Sequence, residues 1–166
     1  MTEIIYKSPL GPLILIAAGS FLVYCNYLSE ECEYKLKKVK DEWEGPETIE
    51  EGKILSKAAK QLDSYFIGDR ICFDLPIKFK GTSFQNKVWQ ELLKIRYGET
   101  KSYKAVSKTL GSPWANRAVA NACGANPLAI IIPCHRIISS DGSYGGYTGG
   151  KSKKEILLRL ESQTKG

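Results

Sequence analysis

The residues best suited to chemistry in this 166-residue chain lie together in one short stretch, Pro133-Cys134-His135-Arg136. His135 is the only histidine, so any reaction that needs an imidazole near neutral pH must use it. A histidine and an arginine beside a sulfur favour the thiolate, which is the nucleophilic form of cysteine. The stretch therefore predicts a reactive cysteine. The alternative is a buried structural cysteine beside a hydrogen-bonded histidine.

Apolar, β-branched residues flank this stretch at Ile130–Ile132 and Ile137–Ile138. Such runs predict a buried strand, which Pro133 should interrupt or confine to a sheet edge. Neighbouring residues of a strand point to opposite faces. A direct contact between the two reactive side chains therefore needs a turn or the start of a helix. Otherwise it needs a bridging water and a third group.

Glu161 is the candidate for that third group. It follows Leu157 by four residues in a predicted final helix, so the two side chains share one apolar face. A carboxylate on an apolar face needs a partner, and His135 is a suitable one. A solvated carboxylate near the end of the chain is the simpler alternative.

Charge divides unevenly along the chain. Residues 1–80 carry 11 Lys/Arg and 13 Asp/Glu, a net charge of −2, whereas residues 81–166 carry 13 and 5, a net charge of +8. The basic half contains the Cys-His-Arg stretch. An excess of positive charge that is confined to one half of the chain indicates a polyanionic partner more strongly than an evenly spread positive charge would.

The five cysteines, at positions 25, 32, 72, 123 and 134, are odd in number and have no Cys-x-x-Cys spacing. We expect free thiols, a reducing cytoplasm, no export signal and no membrane segment. With a single histidine, a structural zinc site is not expected.

The first half predicts an α/β domain. Strands are predicted at Ile4–Tyr6, Leu13–Ala18, Phe21–Tyr27 and Ile71–Leu75. The segment Glu30–Glu47 is predicted to be irregular surface. A capping box at Thr48 and Glu51 should begin a helix that ends at Gly68-Asp69. Pro76–Gly81 looks like a linker, which predicts domains at 1–80 and 81–166.

The second half predicts mostly helices. Capping boxes at Thr82/Gln85 and Ser152/Glu155 should begin two of them, and Gly98 should end the first. The last should bury Ile156, Leu157 and Leu160. Two short helices between these are predicted at Tyr103–Leu110, capped by Ser102, and at Pro113–Cys123, with Ser112 as N-cap and Gly124 at C′. This pair is a candidate helix-turn-helix, although a generic helical hairpin would have the same pattern.

From Phe84 to Glu161 the chain resembles the O6-alkylguanine-DNA alkyltransferases, also called methylated-DNA–protein-cysteine methyltransferases. The resemblance rests on Pro133-Cys134-His135-Arg136, on Asn126-Pro127 before it and on the Tyr147-Thr148-Gly149-Gly150 loop after it. It implies an RNase H-like antiparallel sheet with a helix in the first domain. The second domain should be mainly α and winged-helix-like, with a helix-turn-helix.

The resemblance also implies roles for individual residues. Cys134 accepts the alkyl group, His135 acts as the base through a water, Glu161 orients His135, and Tyr103 gives a proton to the leaving guanine. Arg117 fills the space of the flipped nucleotide. Other DNA contacts are expected at Gln85, Lys104, Ser112 and Ser140. The substrate pocket is expected to include Asn126, Arg136, Tyr147 and Thr148.

These roles describe a monomeric repair protein that works without a cofactor. Its expected partner is double-stranded DNA carrying O6-alkylguanine, with O4-alkylthymine as a secondary expectation. One alkyl group is transferred per molecule, after the helix-turn-helix binds the minor groove and the target base is flipped out of the duplex. The cytoplasm is the expected location, at the nucleoid or in a nucleus if the cell has one. A non-enzymatic DNA-binding regulator and a Cys–His hydrolase are the competing interpretations.

Overall fold

The computed structural model of the protein describes residues 1–29, 32–43, 45 and 47–163. The chain forms two compact units, Met1–Lys80 and Gly81–Gly166. Among the described residues, no helix has both the length and the apolar character needed to cross a bilayer.

The first unit is built on an antiparallel sheet of three strands in the order β1-β2-β3. The strands are β1 (Thr2–Ser8), β2 (Gly11–Ala18) and β3 (Phe21–Tyr27). The central β2 is buried from Leu13 to Ala17, as its continuous apolar sequence requires. The three predicted strands of this meander are confirmed.

The prediction of irregular surface at Glu30–Glu47 is wrong for most of its length. Helix α1 spans Cys32–Glu42. Leu36, Val39 and Trp43 pack against the sheet residues Ile14, Ile16, Val23 and Tyr24. These three apolar residues recur at helical spacing, but the surrounding charges hid the pattern. Residues 30, 31, 44 and 46 of the predicted segment lie outside the described residues.

Helix α2 spans Ile49–Phe66 and begins at the predicted capping box. Its apolar face buries Leu55, Ala58, Leu62 and Tyr65. The helix ends before Gly68, whose positive φ of 85° suits a residue without Cβ. The strand predicted at Ile71–Leu75 is wrong, because the only pairing of the following segment within the described chain is a single bridge from Ile77 to Leu22. Asp74 instead exchanges hydrogen bonds with the Gln61 side chain.

The second unit is mainly helical, as predicted. Its helices are α3 (Ser83–Leu92), α4 (Tyr103–Thr109), α5 (Asn116–Gly124) and α6 (Lys151–Gln163). Two short parallel strands, β4 (Lys101–Ser102) and β5 (Ile137–Ile138), pair between them.

Several predicted helix boundaries in this unit need correction. The first helix ends at Leu92, well before Gly98. The turn after Gly111 extends to Ala115, so α5 begins at Asn116 with Ala115 as N-cap, and Gly124 lies inside the helix. Helix α6 starts at Lys151, so Ser152 is a helical residue and does not cap it. Ile156 is exposed, whereas Leu157 is fully buried as predicted.

The strand predicted at Ile130–Ile132 is also wrong. These residues form turns, and Ile130 has a φ of 71°, an unfavourable conformation for a β-branched residue. Their apolar character reflects burial in a folded loop, since all three side chains are buried. Ile137–Ile138 does form a strand. The irregular backbone thus occurs directly before the Cys-His-Arg stretch.

Candidate active site

A single turn of 3-10 helix, Cys134–Arg136, replaces the predicted strand at the reactive stretch. This is the helical start that the sequence argument required. The Asn126 Nδ2 donates hydrogen bonds to the Ile132 carbonyl at 2.8 Å and to the Cys134 Sγ at 3.1 Å. Asn126 Oδ1 accepts from the Leu128 backbone at 2.9 Å. One buried amide therefore holds the loop in shape and contacts the sulfur that the loop presents.

His135 and Glu161 form the predicted pair. The His135 Nε2 lies 2.7 Å from Glu161 Oε1, and both side chains are fully buried. Burial lowers the pKa of His135, although Glu161 opposes that shift. The other ring nitrogen, Nδ1, is buried and has no hydrogen-bond partner among the described residues. A neutral imidazole that donates from Nε2 to the carboxylate keeps its Nδ1 lone pair available for a proton.

Arg136 is part of the same cluster, where it binds the carboxylate. Its Nε and Nη2 donate to Glu161 at 2.9 and 3.0 Å, and Nη1 donates to the Ile95 carbonyl at 2.6 Å. The backbone N–H of Gly98 adds a fourth bond to Glu161 at 3.1 Å. Burial raises the pKa of Glu161, but its bonds and charge contacts with His135 and Arg136 outweigh burial and hold that pKa well below its usual range. Glu161 is therefore ionised.

The expectation that its neighbours lower the pKa of Cys134 is wrong for this conformation. The residue is only 3% exposed, and burial raises the pKa of its thiol. The Asn126 hydrogen bond and the charge of Lys154 act in the opposite direction without reversing the shift. Arg136 was expected to help, but Glu161 neutralises its guanidinium. The resting cysteine is a thiol that needs a base.

Lys154 is a site residue that the sequence argument missed. It lies in the first turn of α6, and its side chain is fully buried. Its ammonium lies 5.9 Å from the centre of the Tyr103 ring, and Nζ donates to the Gly146 carbonyl at 3.4 Å. Burial lowers the pKa of Lys154, while the two nearby thiols, Cys134 and Cys123, raise it. A usable signal existed, because Lys154, Leu157 and Glu161 recur at helical spacing on one face.

Tyr103 begins α4 beside this cluster. Burial raises the pKa of its phenol to about 12, and the thiols of Cys123 and Cys134 add to the shift. Tyr103 is therefore protonated and able to donate at neutral pH. Cys123 was not predicted as a site residue. It is buried near the end of α5, and its carbonyl accepts from the Asn126 backbone N–H at 3.2 Å.

The loop before α6 closes one side of the site. The Tyr147 ring lies edge-on to His135, with 6.4 Å between ring centres. Gly145 approaches Tyr103 so closely that a Cβ there would lie 3.0 Å from the phenol oxygen. Thr148 Oγ1 lies 3.5 Å from the Gly124 carbonyl oxygen. Tyr147 and Thr148, both predicted pocket residues, therefore belong to a loop that contacts the site.

Of the residues predicted to bind DNA, Lys104 and Arg117 lie on α4 and α5, Gln85 lies on α3, and Ser140 follows β5. Lys104, Arg117 and Ser140 are exposed, and Ser112 is half-buried in the turn between the two helices. Gln85 is engaged locally, because its Oε1 accepts from the Thr82 backbone at 2.9 Å in the predicted capping box. The two helices pack on each other in the helix-turn-helix order. No group of three or more metal-binding side chains comes together in the described parts of the chain.

Comparison with known proteins agrees with this arrangement. The family described as "6-O-methylguanine DNA methyltransferase" matches through its ribonuclease-like domain over residues 1–79 and its DNA binding domain over residues 83–163. The chain belongs to this family of alkyltransferases.

Curated relatives are similar over almost the full chain. The methylated-DNA–protein-cysteine methyltransferase of Methanosarcina acetivorans is 40% identical over 95% of this chain and 96% of its own length. The Mycobacterium tuberculosis protein of the same name is 43% identical over 93% of this chain and 88% of its own.

Solved structures give the same result. The crystal structure of Mycobacterium tuberculosis O6-methylguanine methyltransferase is similar with a TM-score of 0.83 and 39% identity, covering 99% of this chain and 94% of that one. A structure of the mycobacterial protein in complex with DNA has a TM-score of 0.81 and 39% identity, covering 96% of this chain and 92% of that one. The expected fold, a ribonuclease-like first domain and a helical DNA-binding second domain, is confirmed.

Proposed function

We propose that this chain repairs O6-alkylguanine in double-stranded DNA by moving the alkyl group onto the Cys134 sulfur, once per molecule. The observation that carries the proposal is the buried hydrogen-bonded pair of Glu161 and His135. Its free ring nitrogen, Nδ1, has no partner among the described residues, and the residue before His135 in the chain is the protonated thiol Cys134. The proposal is also supported by membership of the alkyltransferase family.

The thiol becomes a nucleophile by losing its proton to His135. Because Glu161 binds Nε2 at 2.7 Å, the Nδ1 atom is the acceptor, and a water between sulfur and ring transfers the proton. The charged imidazole that results is stabilised by the ionised carboxylate behind it. The Asn126 amide, 3.1 Å from the sulfur, and the buried charge of Lys154 stabilise the thiolate.

In the transfer step the sulfur forms a bond to the alkyl carbon while the bond from that carbon to O6 breaks. The electron pair stays on guanine, and the Tyr103 phenol donates a proton to it. Lys154, close to the phenol ring, stabilises the phenolate that remains. The product is a thioether, which water does not cleave, so each molecule acts once.

The second unit brings DNA to this site. The target base is stacked inside the duplex and must be flipped out, which costs a few kcal/mol. The exposed Arg117 on α5 fills the space that the base leaves. Lys104, Ser112, Ser140 and the start of α3 at Gln85 contact the sugar–phosphate backbone, and the basic character of this unit supplies salt-dependent affinity. We place the protein in the cytoplasm, acting as a monomer.

The test is the intact mass of the protein after mixing with duplex DNA that contains one O6-methylguanine. We expect one added methyl group, mapped to Cys134, and no further reaction with excess DNA. Cys134→Ser should remain unmodified. Cys123→Ser is the matched control, since it removes the neighbouring buried thiol and should still gain the methyl group. Methyl on another residue, or many turnovers per molecule, would contradict the proposal.

A further inference from the structure

Trp114 is the most exposed large hydrophobic side chain of the described residues, with 93% of its surface accessible. Single exposed apolar residues are common on proteins, so exposure alone assigns no role. The position of this residue is more informative. It lies in the turn between α4 and α5, immediately before the helix that carries Arg117 three residues later.

The turn that presents Trp114 is held firmly on both sides. The fully buried Ser107 hydroxyl lies 2.7 Å from Asn116 Oδ1 and 3.4 Å from the Pro113 carbonyl oxygen. The Ala115 backbone N–H donates to the Ser112 carbonyl at 2.9 Å. The indole therefore projects into solvent from a fixed backbone. A fixed backbone lowers the conformational entropy lost when the side chain binds a partner.

The charge around the turn indicates the kind of partner. Residues 100–140 contain no aspartate or glutamate, and their exposed charges are the cations Lys104, Lys108 and Arg117. Such a segment is not complementary to a protein partner whose surface carries charges of both signs. The uniform positive charge of the segment complements a polyanion. The apolar indole at its centre complements the sugars and bases of that polyanion.

We propose that Trp114 is a DNA contact, resting on the function proposed above. Its ring packs against the deoxyribose wall of the minor groove beside the place where Arg117 enters the stack, and its Nε1–H donates to a phosphate. The contact adds affinity that does not depend on releasing counterions. It also fixes the N-terminal end of α5 in the groove while Arg117 replaces the flipped nucleotide.

The test compares Trp114→Ala, Trp114→Phe and Lys108→Ala for binding to duplex DNA at several salt concentrations. Trp114→Ala should weaken binding about tenfold, as expected for the loss of one aromatic contact to nucleic acid, with the slope of log affinity against log salt unchanged. Trp114→Phe should retain most of the affinity. Lys108→Ala, which removes a charge, should make that slope less steep by about 1. Tyr34→Ala, at a similarly exposed aromatic in the first unit, is the control and should bind normally.

Two further measurements separate this contact from the chemistry and from the fold. Reaction of Trp114→Ala with a free alkylguanine base should proceed at the normal rate, and its thermal unfolding should be unchanged, because the side chain buries almost nothing. Indole fluorescence should be quenched when DNA is added to the normal protein, and most of that change should be absent in Trp114→Phe, since Trp89 is buried and Trp43 lies in the first unit.

Normal duplex affinity of Trp114→Ala, or an equal loss of rate on the free base, would overturn the role of Trp114. If the unsubstituted protein gains its methyl group on Cys134 in that case, the proposed function stands and only the indole contact is lost. If the unsubstituted protein gains no methyl group, the proposed function itself fails.

Discussion

Both units contain a glutamate with almost no exposed surface, Glu51 and Glu161, and the two are used differently. In the first unit Glu51, 2% exposed, accepts from the Gly19 and Thr48 backbone, the Thr2 hydroxyl and the amino terminus. In the second unit Glu161, fully buried, binds Arg136, the Gly98 backbone and an imidazole. Both carboxyl groups are ionised, since in each case hydrogen bonds lower a pKa that burial alone would raise.

The difference lies in what the partners can do. The partners of Glu51 belong to β1, the β2–β3 turn and the start of α2, so its hydrogen bonds connect these elements. Among the described residues, none of these partners is hydrogen-bonded to a reactive side chain other than Glu51. Glu161 binds a histidine whose second nitrogen has no hydrogen-bond partner in the described part of the chain and whose chain neighbour is a thiol. Through this histidine Glu161 can act on a proton transfer at the thiol, whereas the partners of Glu51 connect elements of the fold. We infer that Glu51 serves folding and Glu161 serves chemistry.

The largest effect should come from substituting these two residues in parallel. Glu161→Gln should slow alkyl transfer about a hundredfold, in the range for loss of general-base catalysis, whereas Glu51→Gln should leave the rate unchanged. Rates measured against pH with a free alkylguanine base provide the measurement. The apparent pKa of Cys134 in this profile should rise in Glu161→Gln, because His135 becomes a weaker base for the thiol proton.

A folded Glu161→Gln protein with a normal rate–pH profile would make Glu161 a structural residue like Glu51. His135→Ala provides a second test. Its effect combined with Glu161→Gln should be smaller than the sum of the two single effects, because both residues act on the same proton.

The next effect concerns the surface of the second unit. Arg117→Ala should slow repair of duplex DNA roughly tenfold to several hundredfold, because base flipping costs a few kcal/mol. Its reaction with a free alkylguanine base should be almost unchanged. Lys53→Ala, which removes an exposed charge from α2 of the first unit, is the control for net charge. Equal losses on both substrates would indicate that Arg117 supports the fold or the chemistry instead.

A smaller effect is expected at Lys154. Lys154→Met keeps most of the buried volume but removes the charge near Tyr103 and Cys134. We expect a rate loss of about tenfold with the free base, corresponding to about 1.4 kcal/mol, and a higher apparent pKa for Cys134. The thermal midpoint should not fall, since a buried charge is costly to desolvate. A normal rate with normal pH dependence would leave Lys154 without a role in the transfer.

The smallest effect is the acid sensitivity of the first unit. Its hydrogen bonds lower the pKa of Glu51 to about 2, despite burial. A group whose pKa is lowered by folding stabilises the protein above its unfolded pKa, and that contribution is lost as the pH falls towards the folded value. Unfolding followed between pH 5 and pH 2, a window set by roughly these pKa values, should show this loss. Glu51→Gln should weaken that pH dependence and lower the free energy of unfolding by about 1–3 kcal/mol. An unaltered acid transition in this variant would show that Glu51 does not anchor the unit.

Much of this arrangement could be predicted from local patterns. The three strands of the meander, the capping boxes at Thr48 and Thr82 and the helical face shared by Leu157 and Glu161 depend on spacing alone. The reactive stretch was identified from residue types, because one histidine beside one cysteine leaves few choices. Family resemblance added the roles of Tyr103, Arg117 and Asn126, which no local pattern indicates and which remain predictions.

Other features depended on contacts between distant segments, and there the sequence-based predictions failed or were not made. Helix α1 is stabilised by packing Leu36 and Val39 on the sheet, despite a charged sequence. Ile130–Ile132 has the composition of a strand, yet Asn126 binds its backbone in a turn. Arg136 and Lys154 resemble surface cations in sequence. Tertiary structure buries them, because Glu161 neutralises the first and the two thiols with Tyr103 surround the second. Spacing along the chain determines which residues share a face, but only packing determines what lies opposite that face, and the pKa of each group depends on that neighbour.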